Sequence, residues 1–169
     1  MPSLLNLGSG QRPFPKPWIN IDIQPKWNPD IVADWNNLSM FAENSVDYVV
    51  SSHSLEHVGC GEADNSIREV YRVLKKSGSF IVFVPDPIAI AHRLLRAEID
   101  EYTYNVLTYG AYMGEEFDRH KWSYSRRGLL EYLMKLAAWR TVRHFDGRPL
   151  HGADLPSLDW WFYATEAIK

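Results

Sequence analysis

The residues able to do chemistry fall in a few short clusters along the 169-residue chain. An apolar run, Leu4-Leu5-Asn6-Leu7, stops in Gly8-Ser9-Gly10. Glycine lets backbone approach a ligand where a Cβ would collide, so a pocket is expected at this point. Trp18-Ile19-Asn20-Ile21-Asp22 and Ile31-Val32-Ala33-Asp34 each end in a carboxylate. The first acid could accept both hydrogen bonds of a ribose diol, and the second could accept from an adenine amino group. Each feature alone has a plainer reading, as a strand-ending turn or a cap. A glycine turn followed by two strand-end acids is a nucleoside-shaped arrangement.

Two further strand ends carry polar groups. Asp47 to Ser52 runs into His53-Ser54-Leu55-Glu56-His57, and Ser79 to Val84 runs into Pro85-Asp86-Pro87. His120 stands in Asp118-Arg119-His120-Lys121-Trp122. His53, His57, His120 and Asp86 are therefore the candidate general bases, His53 first. H-x-x-E-H also matches the inverted zinc-protease motif. That motif needs both histidines on one helix face and a third ligand later in the chain. Here His53 abuts a strand, and zinc would leave the glycine loop and both aspartates unexplained. No metal ligand is assigned.

These groups must be carried by a sheet. Short apolar runs ending in glycine or acid read as parallel strands, whose C-terminal ends form the ligand edge of an open α/β sheet. Between the first runs lie Pro13, Pro15 and Pro17, then Pro25 and Pro29. Prolines so spaced exclude a regular helix, so the first two crossovers are expected as loops. One sheet face then lacks its usual cover. Helical spacing is expected over Ala63 to Lys76, with Ile67, Val70, Tyr71 and Leu74 on one stripe and Gly78 as the stop. A second helix is expected after Ser125, with Leu129, Leu130, Leu133 and Ala137 buried. Thr141 to Phe145 and Trp161 to Thr165 are the last strands. Residues 87–122, which hold Tyr102, Tyr104, Tyr109, Tyr112, Phe117 and Trp122, are expected to form a lid over the pocket, to cover the bare face, or both.

Composition bounds the class of protein. The length suits one domain, residues 1–169, with a core that needs no staples. A net charge of −3 argues against wholesale nucleic-acid binding. The single cysteine, Cys60, excludes an intrachain disulfide framework and suits the cytoplasm. No stretch is apolar and long enough to span a bilayer. A homodimer is expected, because bare crossovers expose apolar sheet surface. The locally basic segment from Arg119 to Arg148 favours an anionic small substrate wherever its charges face the pocket.

With these residues, the chain resembles the class I S-adenosylmethionine-dependent methyltransferases, and within them the compact type 11 group. L-N-L-G-S-G is similar to the cofactor loop, I-N-I-D to the ribose acid and I-V-A-D to the adenine acid. S-V-D-Y-V-V-S-S-H-S-L-E-H and E-V-Y-R-V-L-K-K-S-G-S-F-I-V-F-V-P-D resemble the fourth strand and the following helix and fifth strand. The resemblance implies a three-layer Rossmann-like α/β fold, with a mostly parallel seven-stranded sheet in the order 3-2-1-4-5-7-6 and an antiparallel last strand. It also implies S-adenosyl-L-methionine as cofactor. The implied cofactor contacts are Asn6, Gly8, Ser9, Gly10 and Arg12, Asp22 at the ribose, Asp34 and Trp35 at the adenine, and Ile23, Ser52 and His53. Asn6 stands where most of the class has an acid, and Arg12 where a third glycine is common. The implied reaction is in-line methyl transfer to a small-molecule or sugar acceptor. Two rivals are a catalytically silent nucleoside-binding protein and an NAD-dependent oxidoreductase. The second calls for a helix straight after the glycine loop and gives Asp34 no role.

Overall fold

The computed structural model of the chain describes residues 2–111, 116–156 and 159–169. Tyr112, counted above with the aromatic stretch, lies outside them. One sheet contains β1 (Leu4–Leu7), β2 (Ile19–Asp22), β3 (Ile31–Val32), β4 (Val46–Ser52), β5 (Leu74–Pro85), β6 (Thr141–His144) and β7 (Phe162–Ile168). The order is β3-β2-β1-β4-β5-β7-β6. β7 runs antiparallel to both neighbours, and the remaining pairs are parallel. The expected order and the reversed last strand are both present.

Two apolar clusters sandwich the sheet. On β1, Leu5 and Leu7 join one cluster and Leu4 the other, the period of two that a strand imposes. The first face is covered by α1 (Cys60–Val73) and α4 (Arg126–Leu136). Ile67, Val70 and Val73 from α1 and Leu129, Leu133 and Leu136 from α4 pack there with Val49, Phe80 and Val82. Each fully buried side chain of this kind contributes about 1.5–3 kcal/mol. Ser125 caps α4 by accepting from the Gly128 amide at 3.1 Å.

The second face has no helix against it among the described residues. Residues 8–18 and 23–30 are loops apart from a 3-10 turn at Pro25–Trp27, as their prolines require, and 33–45 also lacks a helix. Phe14 and Trp18 of the first loop cover this face together with Phe145, Leu150, Ala153, Leu155 and Trp161 between β6 and β7. Trp18 is fully buried, and its Nε1 donates to the His151 carbonyl at 3.1 Å, which latches the two loops together. Within the chain, residues of these two loops rather than of 87–122 therefore join the cluster on this face. Tyr102, Tyr109, Phe117 and Trp122 stay exposed instead.

Asn20 explains how the first loop holds without a helix. Its Oδ1 accepts from Asn6 Nδ2 at 2.9 Å and from the Phe14 amide at 2.7 Å, while its Nδ2 donates to the Phe14 carbonyl at 2.9 Å. Asp30 Oδ2 accepts from the Asn20 amide at 2.8 Å, so both stripped crossovers converge on one buried amide.

The helix border after α1 also differs from expectation. The helix ends at Val73 and β5 begins at Leu74, so Lys75 and Lys76 are strand residues. Lys75 pairs with Asp47 at 2.8 Å, and the β4–β5 register slips between Val46 and Tyr48. Pairing to β4 outweighs the helical periodicity of Leu74. Beyond β5, α2 (Pro87–Leu95) and α3 (Glu101–Tyr109) pack on each other, capped by Asp86 and Asp100.

Candidate active site

Gly8 and Gly10 both have positive φ, +67° and +49°, a conformation that disfavours a side chain. At Gly8 there is also no room, because a Cβ would lie 2.0 Å from Ser54 Oγ. At Gly10 a Cβ would meet nothing within 4 Å. The amides of Gly8 and Ser9 donate to the Ile21 carbonyl at 2.8 and 3.1 Å, and that of Gly10 donates to Asp22 Oδ2 at 2.8 Å. Asp22 Oδ1 accepts from the Gln24 amide at 2.8 Å. Each oxygen of this buried carboxylate thus keeps acceptor capacity for a ligand.

A cleft of about 420 Å³ opens at these strand ends. Gly8, Gly10, Asp22, Ile23, Asp34 and Trp35 line one part of it, and His53, His57, Phe117 and Lys121 another. Asp34 forms an Asx turn, its Oδ1 accepting from the Asn36 amide at 3.0 Å. Trp35 is buried and meets Phe80 edge-on at 6.5 Å. Asn6 is buried in its bond to Asn20. Arg12 is exposed, and Gln11 rather than Arg12 lines the cleft. Ser52 pairs with Phe83 at the end of β4.

His53 follows at φ +52°, and its amide donates to the Phe83 carbonyl at 3.0 Å. This turn ends β4 and directs the chain into a 3-10 turn, Leu55–His57. The two histidines of H-x-x-E-H therefore do not share an α-helical face. The His53 ring stacks on Trp161 at 4.9 Å and meets Phe162 edge-on at 4.8 Å. Its Nδ1 lies 3.5 Å from Glu56 Oε1. Glu56 is the residue that site reasoning from sequence passed over: it is buried, with His53, His57 and His120 around it. Burial opposes its ionisation, but the contact with His53 and the nearby imidazoles hold its carboxyl below the usual range. Burial pushes the His120 imidazole down, against the pull of Glu56. The chain is clamped across this cluster, since the Lys121 and Trp122 amides donate to the Glu56 carbonyl at 2.8 and 3.1 Å. The signal for Glu56 was present in H-S-L-E-H, but its partner His120 is distant in sequence.

Asp86 lies apart from the cleft. Its Oδ1 accepts from the Ile88 and Ala89 amides at 3.2 Å, and its Oδ2 accepts from Arg126 Nε at 2.6 Å. The basic segment is similarly engaged: Arg127 pairs with Glu131, and Arg143 and Arg148 pair with Glu166. Among the described residues, Lys121 is the cation that lines the cleft.

The site fits a nucleoside-bearing cofactor. The backbone at Gly10 leaves open space where a side chain would stand, and the buried Ser9 Oγ has no protein partner among the described residues. An acid with spare acceptor capacity lines a cleft of ligand size. Fold and site together define an α/β protein of the class I methyltransferase architecture. Residues 16–82, less than half of the chain, match the family model described as a methyltransferase domain. Among solved structures, an S-adenosylmethionine-dependent methyltransferase from Archaeoglobus fulgidus is similar at 18% identity and TM-score 0.66, covering 99% of this chain and 86% of that one. A possible histamine N-methyltransferase from Thermotoga maritima is similar at 19% identity and TM-score 0.61, covering 100% and 83%. One from Mesorhizobium loti is similar at 16% identity and TM-score 0.57, covering 99% and 90%. At such identities these likenesses establish the fold. No curated protein matches by sequence. The match over residues 16–82 and the shared fold make this chain similar to S-adenosylmethionine-dependent methyltransferases.

Proposed function

We propose that the chain methylates an oxygen of a small acceptor, sugar-containing or anionic, bound beside the cofactor. One observation carries this reading: Asp22, Asp34, His53, His57 and Lys121 line a single cleft, so nucleoside-type contacts and a proton-accepting group share one cavity. Gly8, Gly10, Asp22, Asp34 and Trp35 would hold the cofactor. When bound, it supplies an electrophilic methyl group open to in-line displacement. The chain itself aligns the acceptor, excludes water and handles the proton. His53 suits the last task. With Nδ1 directed to Glu56 at 3.5 Å, the tautomer carrying hydrogen there leaves Nε2 to take the acceptor's proton. Stacking on Trp161 restrains the ring plane. Lys121 would attract an anionic group, and Phe117, Asp118 and Lys121 would act as the part of the 87–122 lid nearest the acceptor.

A cytoplasmic setting belongs to the same reading and is supported by the single cysteine. No helix among the described residues is long and apolar enough to cross a membrane. The test is transfer of label from methyl-labelled S-adenosylmethionine to a panel of nucleotide sugars and sugar acids. One acceptor class should take up label, and His53→Gln should slow that transfer by about 10²–10⁴-fold with the cofactor still bound. Transfer indifferent to His53→Gln would remove the base from this scheme, and hydride transfer from NADH would overturn the reading as a whole.

A further inference from the structure

We propose that Glu56, His57 and His120 form a binding site for one divalent transition-metal ion, zinc by ligand type, at the acceptor end of the cleft. One donor atom from each of the three lies within 4.8 Å of the others. A tetrahedral ion with bonds of about 2.1 Å holds its donors about 3.4 Å apart. Binding therefore requires the three side chains to draw together.

Three observations distinguish this cluster from a chance meeting of polar residues. His57 Nδ1 lies 3.1 Å from the Arg119 carbonyl, and His120 Nδ1 lies 3.1 Å from the Thr108 carbonyl. A carbonyl only accepts, so each Nδ1 carries the hydrogen and each Nε2 presents a lone pair. Backbone carbonyls orient metal-ligating histidines in the same manner. Glu56 supplies the second observation. Its side chain is 2% exposed, and neither carboxylate oxygen has a hydrogen-bond partner among the described residues. A buried carboxylate is costly unless paired or bound to a cation. The nearest imidazole, that of His53, stands at 3.5 Å, beyond the 2.7–2.9 Å of a charge-assisted bond. Third, the ligands are held by backbone rather than by each other. Glu56 and His57 share one 3-10 turn, the His120 amide donates to the Tyr109 carbonyl at 3.0 Å, and the Lys121 and Trp122 amides bind the Glu56 carbonyl.

Two imidazoles and one carboxylate are a donor set of catalytic zinc, which keeps a fourth position open. His57 borders the cleft as well as the cluster, which sets the cluster beside it. An oxygen bound there becomes more acidic. On the function proposed above it would be an acceptor hydroxyl, although the ion site itself does not depend on that reading. H-x-x-E-H thus contributes only its last two residues as ligands, and the third comes from the segment after α3.

The test uses the whole chain, stripped of metal by a chelator and titrated with Co²⁺ as a visible-absorbing probe, then with Zn²⁺ in competition. One Co²⁺ per chain is expected, with the absorption of a four- or five-coordinate site and displacement by Zn²⁺. Glu56→Gln, His57→Gln and His120→Gln should each weaken binding at least about a hundredfold. His92→Gln, at an exposed histidine of α2, should leave it unchanged. Circular dichroism of each variant separates ligand loss from unfolding, and His57→Gln serves should a buried variant not fold. A folded wild type that binds no Co²⁺, or binds it equally well after Glu56→Gln or His57→Gln, overturns the site. S-adenosylhomocysteine titrations on the same samples keep the two proposals separate. Cofactor without metal refutes only the ion site, and metal without cofactor refutes only the methyl-transfer reading.

Discussion

Gly8 and Ser54 are pressed together: a Cβ on Gly8 would fall 2.0 Å from Ser54 Oγ and 2.5 Å from Ser54 Cβ. The glycine loop after β1 and the histidine loop after β4 are therefore packed as one unit. Gly8→Ala should lower stability by about 2–4 kcal/mol, combining the clash with the cost of φ +67° in an L residue. Adding Ser54→Gly should recover the clash and leave about 1–2 kcal/mol of backbone cost. Denaturant titration of the two variants checks this. Equal stability of Gly8→Ala and wild type would refute the close packing.

Asn20 replaces a missing helix by four side-chain bonds, to Asn6, to both polar groups of the Phe14 backbone and to Asp30. Removing it strands buried donors and acceptors, each costing about 1–3 kcal/mol. Asn20→Ala should cost about 3 kcal/mol in total and speed hydrogen exchange at the Phe14 amide. Exchange at Phe14 as slow as in wild type would show that the prolines alone hold the loop.

Glu166 on β7 is fully buried and binds Arg143 Nε and Nη2 at 2.9 and 2.8 Å, and Arg148 as well. Burial alone would raise its pKa, but the bonds from Arg143 and Arg148 outweigh that and lower it. A lowered folded value means that the unfolded chain binds more protons in the acid range. The stabilisation is complete above the ordinary value of about 4.3 and is lost as pH falls through the depressed one. Glu166→Gln should cost about 2 kcal/mol at neutral pH, less than a wholly buried pair because both arginines are partly exposed. Stability of the variant should also depend less steeply on pH below about 5. Parallel acid-limb slopes would contradict this.

Much of the cleft lining was legible because it sits where strands stop. Gly8, Gly10, Asp22 and Asp34 each close an apolar run, and a parallel sheet brings such ends to one edge. Asn6, in the acid's usual place, turned out to be engaged with Asn20. Periodicity failed at Leu74, where helical spacing continues but the β4 edge captures the chain as strand. The cover of the bare face was hidden for a different reason. Phe145, Leu150 and Trp161 lie in a loop with no periodicity, and only the sheet order brings them over β4 and β5. The Glu56, His57 and His120 cluster likewise needs a contact across distant sequence, which local patterning cannot report.

The most direct test of the central claim is calorimetric titration of S-adenosylhomocysteine into wild type and Asp22→Ala, with NADH as the comparison ligand. Asp22 lines the cleft and accepts from the Gly10 amide at 2.8 Å, so its removal should take away both the acceptor proposed for the ribose and the loop's anchor. Wild type should bind one S-adenosylhomocysteine per chain and NADH not at all, and Asp22→Ala should lose at least about 2 kcal/mol of binding, roughly thirtyfold. A folded wild type that binds no S-adenosylhomocysteine, or an Asp22→Ala variant that binds it equally well, would contradict the cofactor site.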